Sequence, residues 1–159
     1  MDYKKEDSNR LAPLRPFITL IPCYGAADKL RICLDSLAAH GAPGGAVIVL
    51  DDGTPNDTVR RACGAIQKDL PSLQYVRRED SSGFVSTCNW GRREFWDGQS
   101  DLLLLNSDTE VTSGSLQEMQ QVLHIHEKHA VATPRSNSAT IFSVPATGDR
   151  LPRRSSFEL

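Results

Sequence analysis

Short runs of apolar residues alternate along this chain with longer stretches in which apolar residues recur every three or four positions. Runs of the first kind are typical of strands, and stretches of the second kind are typical of amphipathic helices. The runs predict strands at residues 17–21, 46–50, 73–76, 101–105 and 130–133. Because helical stretches separate them, the pattern predicts an α/β fold with a doubly wound, mostly parallel sheet flanked by helices.

Breaking and capping residues predict where these elements begin and end. Helices are predicted at residues 26–40, from 56 or 57 to about 66, from 81–83 to about 95, and around 116–123. Asn56 and Asp57 are both suitable N-caps for the second helix. The first strand is expected to stop at Pro22, because proline cannot donate a hydrogen bond to a sheet.

A strand and a polar cluster meet in the segment from Asp101 to Asp108. Four consecutive leucines at 102–105 predict a strand that is covered on both faces, because a half-exposed strand would alternate apolar and polar residues. Asn106, Ser107 and Asp108 follow at once. Since α/β sheets bind their ligands at the carboxyl ends of strands, this cluster predicts a ligand site.

Two other predicted strands end in side chains suited to the same site. The second strand runs into Asp51 and Asp52, and the first is followed by Pro22, Cys23 and Tyr24. The carboxyl ends of parallel strands lie at one edge of the sheet, so the three clusters are expected to converge. The alternative for the acidic pair is an ordinary turn held by an Asx-type hydrogen bond.

Asn106 and Asp108 form a pair similar to an Asp-x-Asp motif, in which alternate side chains can reach one cation. Oxygen ligands of this kind suit Mg²⁺ or Mn²⁺, which bind one or two carboxylates together with the phosphates of a ligand. The alternative is that Asp108 or Thr109 caps a turn before the helix that starts near Ser113. The residues alone leave both interpretations open.

Composition narrows the class of protein. A chain of 159 residues forms one domain or part of a larger one, and a net charge of −2 argues against nucleic-acid binding. Four cysteines without a C-x-x-C pair predict small buried thiols in a reducing compartment. No apolar stretch suffices for a signal peptide or a membrane span, so a cytoplasmic location is expected. The predicted organisation is a flexible segment at 1–16, a domain at 17–145 and a tail at 146–159.

Other classes of site fit the sequence less well. No G-x-G-x-x-G follows the first strand and no Walker loop is present, which argues against dinucleotide and P-loop nucleotide sites. A phosphoacceptor receiver domain would carry its acidic pair after the first strand, whereas here the pair follows the second. His124, His126 and His129 are expected to be solvated, because on a helix the first two would point to different sides.

Four segments, taken in order, resemble the donor half of family 2 glycosyltransferases of the GT-A fold. They read IPCY at 21–24, VIVLDDGT at 47–54, GFVSTCN at 83–89 and LLLNSDTEV at 103–111. The stretch at 134–145 is similar to one that follows the metal motif in a bacterial polysaccharide subgroup. The resemblance covers about residues 17–145 and implies a GT-A-like fold.

The resemblance also implies which residues bind the donor: Pro22, Tyr24, Asp51, Asp52, Asn106, Ser107 and Asp108. Pro22 and Tyr24 would border the nucleotide base, and Asp52 would hydrogen-bond a uracil or thymine edge. Asn106 and Asp108 would serve as the metal motif, with Asp108 holding Mg²⁺ or Mn²⁺ on the diphosphate of a UDP- or dTDP-linked sugar. The implied reaction is inverting transfer of the sugar to a saccharide acceptor in polysaccharide biosynthesis.

Such a transfer needs a general base, which the family carries in an acceptor half beyond the metal motif. The carboxylates after Asp108 do not stand in a similar context: Glu110, Glu118, Glu127, Asp149 and Glu158. The catalytic base is therefore not identified, and the acceptor half is expected to be absent from these 159 residues. The alternative is a catalytically inactive GT-A-like domain with a role in assembly or nucleotide sensing.

Overall fold

The computed structural model describes residues 15–41 and 45–134. Strands and helices follow one another as β1 (Phe17–Cys23), α1 (Ala27–His40), β2 (Val47–Asp51), α2 (Thr58–Ile66), β3 (Leu73–Arg77), α3 (Phe84–Phe95), β4 (Asp101–Leu104) and α4 (Ser115–His124). Each coincides with a predicted element. The predicted N-terminal segment up to residue 14, most of the 134–145 stretch and the predicted tail lie outside the described residues.

The four strands form one sheet in the order β3-β2-β1-β4, and every pair is parallel. Thr19 of β1 is level with Val47 of β2 and with Leu103 of β4. Since all strands run the same way, the carboxyl ends of β1, β2 and β4 lie at one edge. The predicted α/β fold with a parallel sheet is confirmed.

Helices cover both faces of the sheet. Leu20, Ile48 and Leu50 project from one face into a core cluster, against which Trp90 and Phe95 of α3 pack. Residues alternate between the two faces of a strand, so Ile21 and Val49 point to the other face. There α1 buries the predicted face, formed by Leu30, Cys33, Leu34 and Leu37. Apolar spacing therefore predicted the four apolar residues that α1 buries, but not the buried Ser36 beside them.

The first strand continues through Pro22 to Cys23, so the prediction that it ends at Pro22 is wrong. The backbone groups of Thr19 point toward β2, because the Thr19 N–H donates to the Ala46 carbonyl just before that strand. The backbone groups of Leu20 point toward β4, because the Leu20 carbonyl accepts from the Leu105 N–H just after that strand. By alternation, Pro22 is directed toward the β4 side. The β4 pairing stops at Leu20, so the missing N–H of Pro22 interrupts no ladder.

The leucine run forms a strand as predicted, but the expectation that both its faces are covered is wrong within the described residues. β4 pairs only with β1 and is an edge strand of this sheet. Leu102 and Leu103 are half-buried, and Leu104 is 53% exposed. The cause is that α3 packs mainly against β1 and leaves the end of the edge strand uncovered.

The predicted fifth strand is not observed. The structure describes residues 130–133 as lacking regular structure, and most of them are exposed. A strand needs the backbone hydrogen bonds of a neighbouring strand, which β-branched composition alone does not supply. The chain divides into two compact units between Glu118 and Met119, inside α4, and residues 130–133 belong to the second unit.

The described residues contain no helix that is long and apolar enough to cross a membrane. All four cysteines are free thiols and all four are buried, as predicted: Cys23, Cys33, Cys63 and Cys88.

Candidate functional site

The loops that follow β1, β2 and β4 contact one another at the carboxyl edge of the sheet. The Asp52 N–H donates to the Cys23 carbonyl at 2.9 Å, and the Gly25 N–H donates to Thr54 Oγ1 at 2.9 Å. The Cys23 thiol donates to the Gly25 carbonyl at 3.1 Å, and Ser107, in the loop after β4, lies close enough to this thiol to affect its pKa. The structure therefore brings the three predicted clusters to one place.

Asn106 and Asp108 are exposed at this edge, with Ser107 half-buried between them. A turn in which the Thr109 N–H donates to the Asn106 carbonyl at 3.1 Å shapes the segment. Among the described residues, no group of three or more His, Cys, Asp or Glu side chains is arranged to hold a metal ion. Two exposed oxygen ligands nevertheless fit a divalent cation that takes its remaining ligands from phosphate and water.

The Asp51 carboxylate is fully buried and is used by the fold. One oxygen accepts from the Thr54 N–H at 2.9 Å, which closes the turn after β2, and the other accepts from the Tyr75 hydroxyl at 2.6 Å. Burial and the adjacent Asp51 carboxylate raise the pKa of Tyr75 to about 12, so the phenol keeps the proton that it donates. Asp51 therefore fits the alternative given for the acidic pair, an ordinary turn held by an Asx-type hydrogen bond.

The Asp52 carboxylate, 4% exposed, faces the amino end of α3. Five donor groups contact its two oxygens: Ser81 Oγ at 2.8 Å, Ser82 N at 3.1 Å, Ser82 Oγ at 3.3 Å, Gly83 N at 2.8 Å and Thr87 Oγ1 at 2.6 Å. A carboxylate has roughly four acceptor positions, so these contacts occupy the group. Asp52 thus connects the end of β2 to the start of α3.

Hydrogen bonding determines the charge state of Asp52. Burial by itself raises the pKa of a carboxyl, but the bonds from Thr87, Ser82, Ser81 and Gly83 outweigh burial and lower the pKa of Asp52 to about 2. The group is therefore an anion near neutral pH.

Pro22 and Tyr24 differ in accessibility although they are two residues apart. Pro22 is buried within β1, whereas Tyr24 is 59% exposed just beyond it. The chain after Tyr24 turns sharply, because Gly25 and Ala26 both adopt the left-handed conformation, with φ of 65° and 48°. An exposed aromatic ring therefore stands at the end of β1.

Sequence reasoning missed the partners that hold the acidic pair in place. Thr87 is completely buried and donates to Asp52, and Tyr75 on β3 donates to Asp51. The Arg77 side chain, also on β3, donates to the Thr54 carbonyl and lies 3.6 Å from Asp57. Only the Ser81-Ser82-Gly83 helix start carried a sequence signal for this network; the other contacts depend on tertiary structure.

A small cavity lies at the opposite end of the sheet. Its lining residues include Phe17, Thr19, Leu37 and Val47, at the amino ends of β1 and β2 and the last turns of α1. The lining is largely apolar and contains no charged side chain. It does not coincide with the candidate site.

The family model described as "Glycosyl transferase family 2" matches residues 19–153, which is most of the chain. The chain belongs to glycosyl transferase family 2. The predicted family is thereby confirmed, and the strand ends described above lie within the matched range of this family member. No curated protein matches the sequence.

Solved structures similar to this family 2 chain include S. aureus TarS 1–349, with 21% identity and a TM-score of 0.56 over 70% of this chain and 33% of that one. The TarS 1–349 complex with UDP-GlcNAc is 21% identical, with a TM-score of 0.57 over 70% and 32%. Mannosyltransferase PcManGT from Pyrobaculum calidifontis, in complex with GDP-Man and Mn²⁺, is 21% identical, with a TM-score of 0.58 over 72% and 35%.

These similarities show the fold, which is GT-A-like as predicted. The chain spans about a third of the length of each of these structures.

Proposed function

We propose that this chain is the donor-binding part of a glycosyltransferase, and that it binds a nucleotide-diphosphate sugar together with Mg²⁺ or Mn²⁺. The observation that carries the proposal is the exposed pair Asn106 and Asp108 at the carboxyl edge of the sheet, in a chain of glycosyl transferase family 2. Asp51 and Asp52 are held by protein donors, so Asp108 is the one of the three site carboxylates that is best placed to meet a ligand.

The role proposed for Asn106 and Asp108 is to hold the cation with a side-chain amide oxygen and a carboxylate oxygen. A divalent ion on the diphosphate supplies neutralisation of the charge that grows on the departing nucleotide. One carboxylate is enough for such an ion when phosphate oxygens complete its shell. Exposure of both side chains supports this, because the diphosphate can approach them without a change in the fold.

Tyr24 is proposed to border the nucleotide base. Its exposed ring offers a flat apolar surface beside the turn at Gly25. A contact of the buried Pro22 with the base stays a prediction. Contact of Asp52 with the edge of a base stays a prediction. A base N–H would have to share a carboxylate oxygen that already accepts hydrogen bonds from the start of α3. The main role of Asp52 is therefore to hold the loops of the site in place.

Inverting transfer to a saccharide hydroxyl, as in polysaccharide biosynthesis, is proposed for the whole protein. Glu110, Glu118 and Glu127 are exposed carboxylates of the described part, and none of them has a contact that points to a general base. Asp149 and Glu158 lie outside the described residues. Donor binding is therefore the activity proposed for these residues themselves.

Calorimetry with UDP-GlcNAc, a dTDP-sugar and GDP-mannose, each with and without Mn²⁺, tests the proposal. The first and third ligands are those named with the similar TarS and mannosyltransferase structures. At least one donor is expected to bind in a Mn²⁺-dependent manner. Asp108→Ala is expected to weaken binding in the presence of Mn²⁺ by tenfold or more, because the metal-dependent part of the affinity is lost. Tenfold corresponds to about 1.4 kcal/mol in binding free energy.

Glu110→Ala is the matched control, since Glu110 is an exposed carboxylate two residues from Asp108. It is expected to leave the affinity unchanged, which separates ligation of the metal from a general loss of negative charge. Absence of binding to every donor would contradict the proposal and would favour the inactive domain. Binding that is equal with and without Mn²⁺ would contradict the metal site alone.

A further inference from the structure

One turn of α1 contacts both ends of the segment 106–111, which contains the proposed metal ligands. The Cys33 thiol donates to the Asn106 carbonyl at 3.7 Å, a distance suited to a sulfur donor. Three residues further on, Ser36 Oγ accepts a hydrogen bond from the Val111 N–H at 2.9 Å. These contacts join parts of the chain that are 73 and 75 residues apart.

The Ser36 hydroxyl is fixed in direction by its own bond. It donates to the Cys33 carbonyl at 2.7 Å, so its lone pairs are turned toward Val111. Val111 is 5% exposed, and the Ser36–Val111 contact is buried. Without Ser36, the Val111 N–H would lose its partner in a place that water reaches poorly, and an unsatisfied buried donor is costly.

The Cys33 thiol is suited to a permanent donor role. It is completely buried, and the Asn106 carbonyl is the acceptor that lies within hydrogen-bonding distance of its sulfur. A thiol is a weak donor, so we assign the larger share of the anchoring to Ser36.

We infer that Ser36, which holds Val111, and Cys33, which holds Asn106, are positioning residues that fix the two ends of the segment carrying Asn106 and Asp108. The inference rests on the proposed function for its link to metal binding. If the loop had to become ordered when the cation binds, the lost conformational freedom would weaken binding. Ligands that are already held in position avoid this cost. Here the strand β4 ends at Leu104, and α1 takes over the anchoring of the chain beyond it.

Hydrogen exchange of the amides at 106–111 in Ser36→Ala tests the anchoring without any ligand. Alanine favours helix, so α1 itself is expected to remain folded. The Val111 amide is expected to exchange at least tenfold faster than in the unsubstituted protein, while the amides of β1 and β2 keep their rates. Ser36→Thr retains the hydroxyl and is expected to restore slow exchange at Val111.

Asp35→Ala is the matched control on the same helix. Asp35 is exposed and pairs with Arg31 across the surface at 2.9 Å, without a contact to the 106–111 segment. It is expected to leave the exchange of Val111 unchanged. Equal exchange rates at 106–111 in Ser36→Ala and in the unsubstituted protein would overturn the inference.

Measurement of the Mn²⁺-dependent affinity for UDP tests whether the anchoring of the 106–111 segment matters for metal binding. Ser36→Ala is expected to weaken it about tenfold, and Ser36→Thr is expected to recover it. Faster exchange with unchanged affinity would overturn the positioning role. If the unsubstituted protein binds UDP equally with and without Mn²⁺, the metal site of the proposed function fails, and with it the link to a metal. The exchange experiment then still decides whether α1 fixes the segment.

Discussion

The Thr87 hydroxyl donates to Asp52 Oδ1 at 2.6 Å and joins the end of β2 to the second turn of α3. Both groups are buried, with exposed fractions of 4% for Asp52 and 0% for Thr87. The N-cap residue of α3, Gly83, has no side chain that could accept a hydrogen bond. Asp52 accepts from the N–H groups of Ser82 and Gly83, the two residues that precede α3, and so holds the start of the helix from a distant point in the sequence.

Removal of this carboxylate is expected to destabilise the protein strongly. Asp52→Ala leaves the buried Thr87 hydroxyl and the start of α3 without their acceptor, at a cost of about 3 kcal/mol in the free energy of unfolding. Thr87→Val, which keeps the shape and removes one donor, is expected to cost about 1–2 kcal/mol. Urea unfolding followed by circular dichroism measures both values.

The double variant decides whether the two residues act together. If they do, Asp52→Ala with Thr87→Val loses less stability than the sum of the single changes, with a coupling of about 1 kcal/mol. Strict additivity of the two losses would show that Asp52 and Thr87 stabilise the fold independently.

Stability is expected to fall in acid as Asp52 becomes protonated. The pKa of Asp52 is about 2 in the folded chain, against 3.8 for an ordinary aspartate. The contribution of the ionised group is therefore complete above about pH 4 and is lost as the pH falls from 3.8 toward 2. Between pH 6 and pH 3 the loss amounts to about 1 kcal/mol.

The comparison of unfolding free energies at pH 6 and pH 3 for the unsubstituted protein and for Asp52→Asn isolates this effect. Other carboxyls titrate in both proteins, so their contributions cancel in the difference. The destabilisation caused by Asp52→Asn is expected to be smaller at pH 3. A destabilisation of equal size at both pH values would contradict a lowered pKa of Asp52.

Local pattern was sufficient to predict the elements and the edge of the sheet at which polar residues gather. The apolar face of α1 follows from its helical spacing, and β1 and β2 follow from continuous apolar runs, which are buried along almost their whole length. The role of Asp52 could not be derived in this way. Its partner Thr87 is 35 residues away, and nothing in the spacing distinguishes a turn aspartate from one that caps a distant helix.

The errors concern properties that depend on neighbours. Four leucines look the same whether a strand is central or at an edge, and the exposure of Leu104 reflects where α3 packs. Pro22 is tolerated inside β1 because the pairing with β4 has already stopped at Leu20. The segment 130–133 has strand-like composition, but the structure describes it without regular structure.

Tyr75→Phe is expected to destabilise the protein by about 1–3 kcal/mol, because it removes a donor from a buried carboxylate. The Tyr75 hydroxyl bonds to Asp51 at 2.6 Å, and Asp51 has no exposed surface through which water could replace it. Thermal or urea unfolding measures the change. Tyr24→Phe, which removes the hydroxyl of a ring that is 59% exposed, is the control and is expected to change stability by less than about 0.5 kcal/mol. Equal effects of the two substitutions would contradict a structural role for the Tyr75–Asp51 bond.

The four thiols are expected to be unreactive in the folded protein. All of them are buried, and burial is the main cause that raises the pKa of Cys23 to about 11 and the pKa values of Cys33 and Cys63 to about 12. The thiolate is the reactive species, so both its low population and its inaccessibility slow modification. A colorimetric thiol reagent at pH 8 is expected to modify fewer than one thiol per chain within minutes under native conditions and four after unfolding in guanidinium. Rapid reaction of Cys33 under native conditions would mean that α1 does not stay packed against the 106–111 segment. Reaction confined to Cys88, which is 8% exposed, would be compatible with the structure.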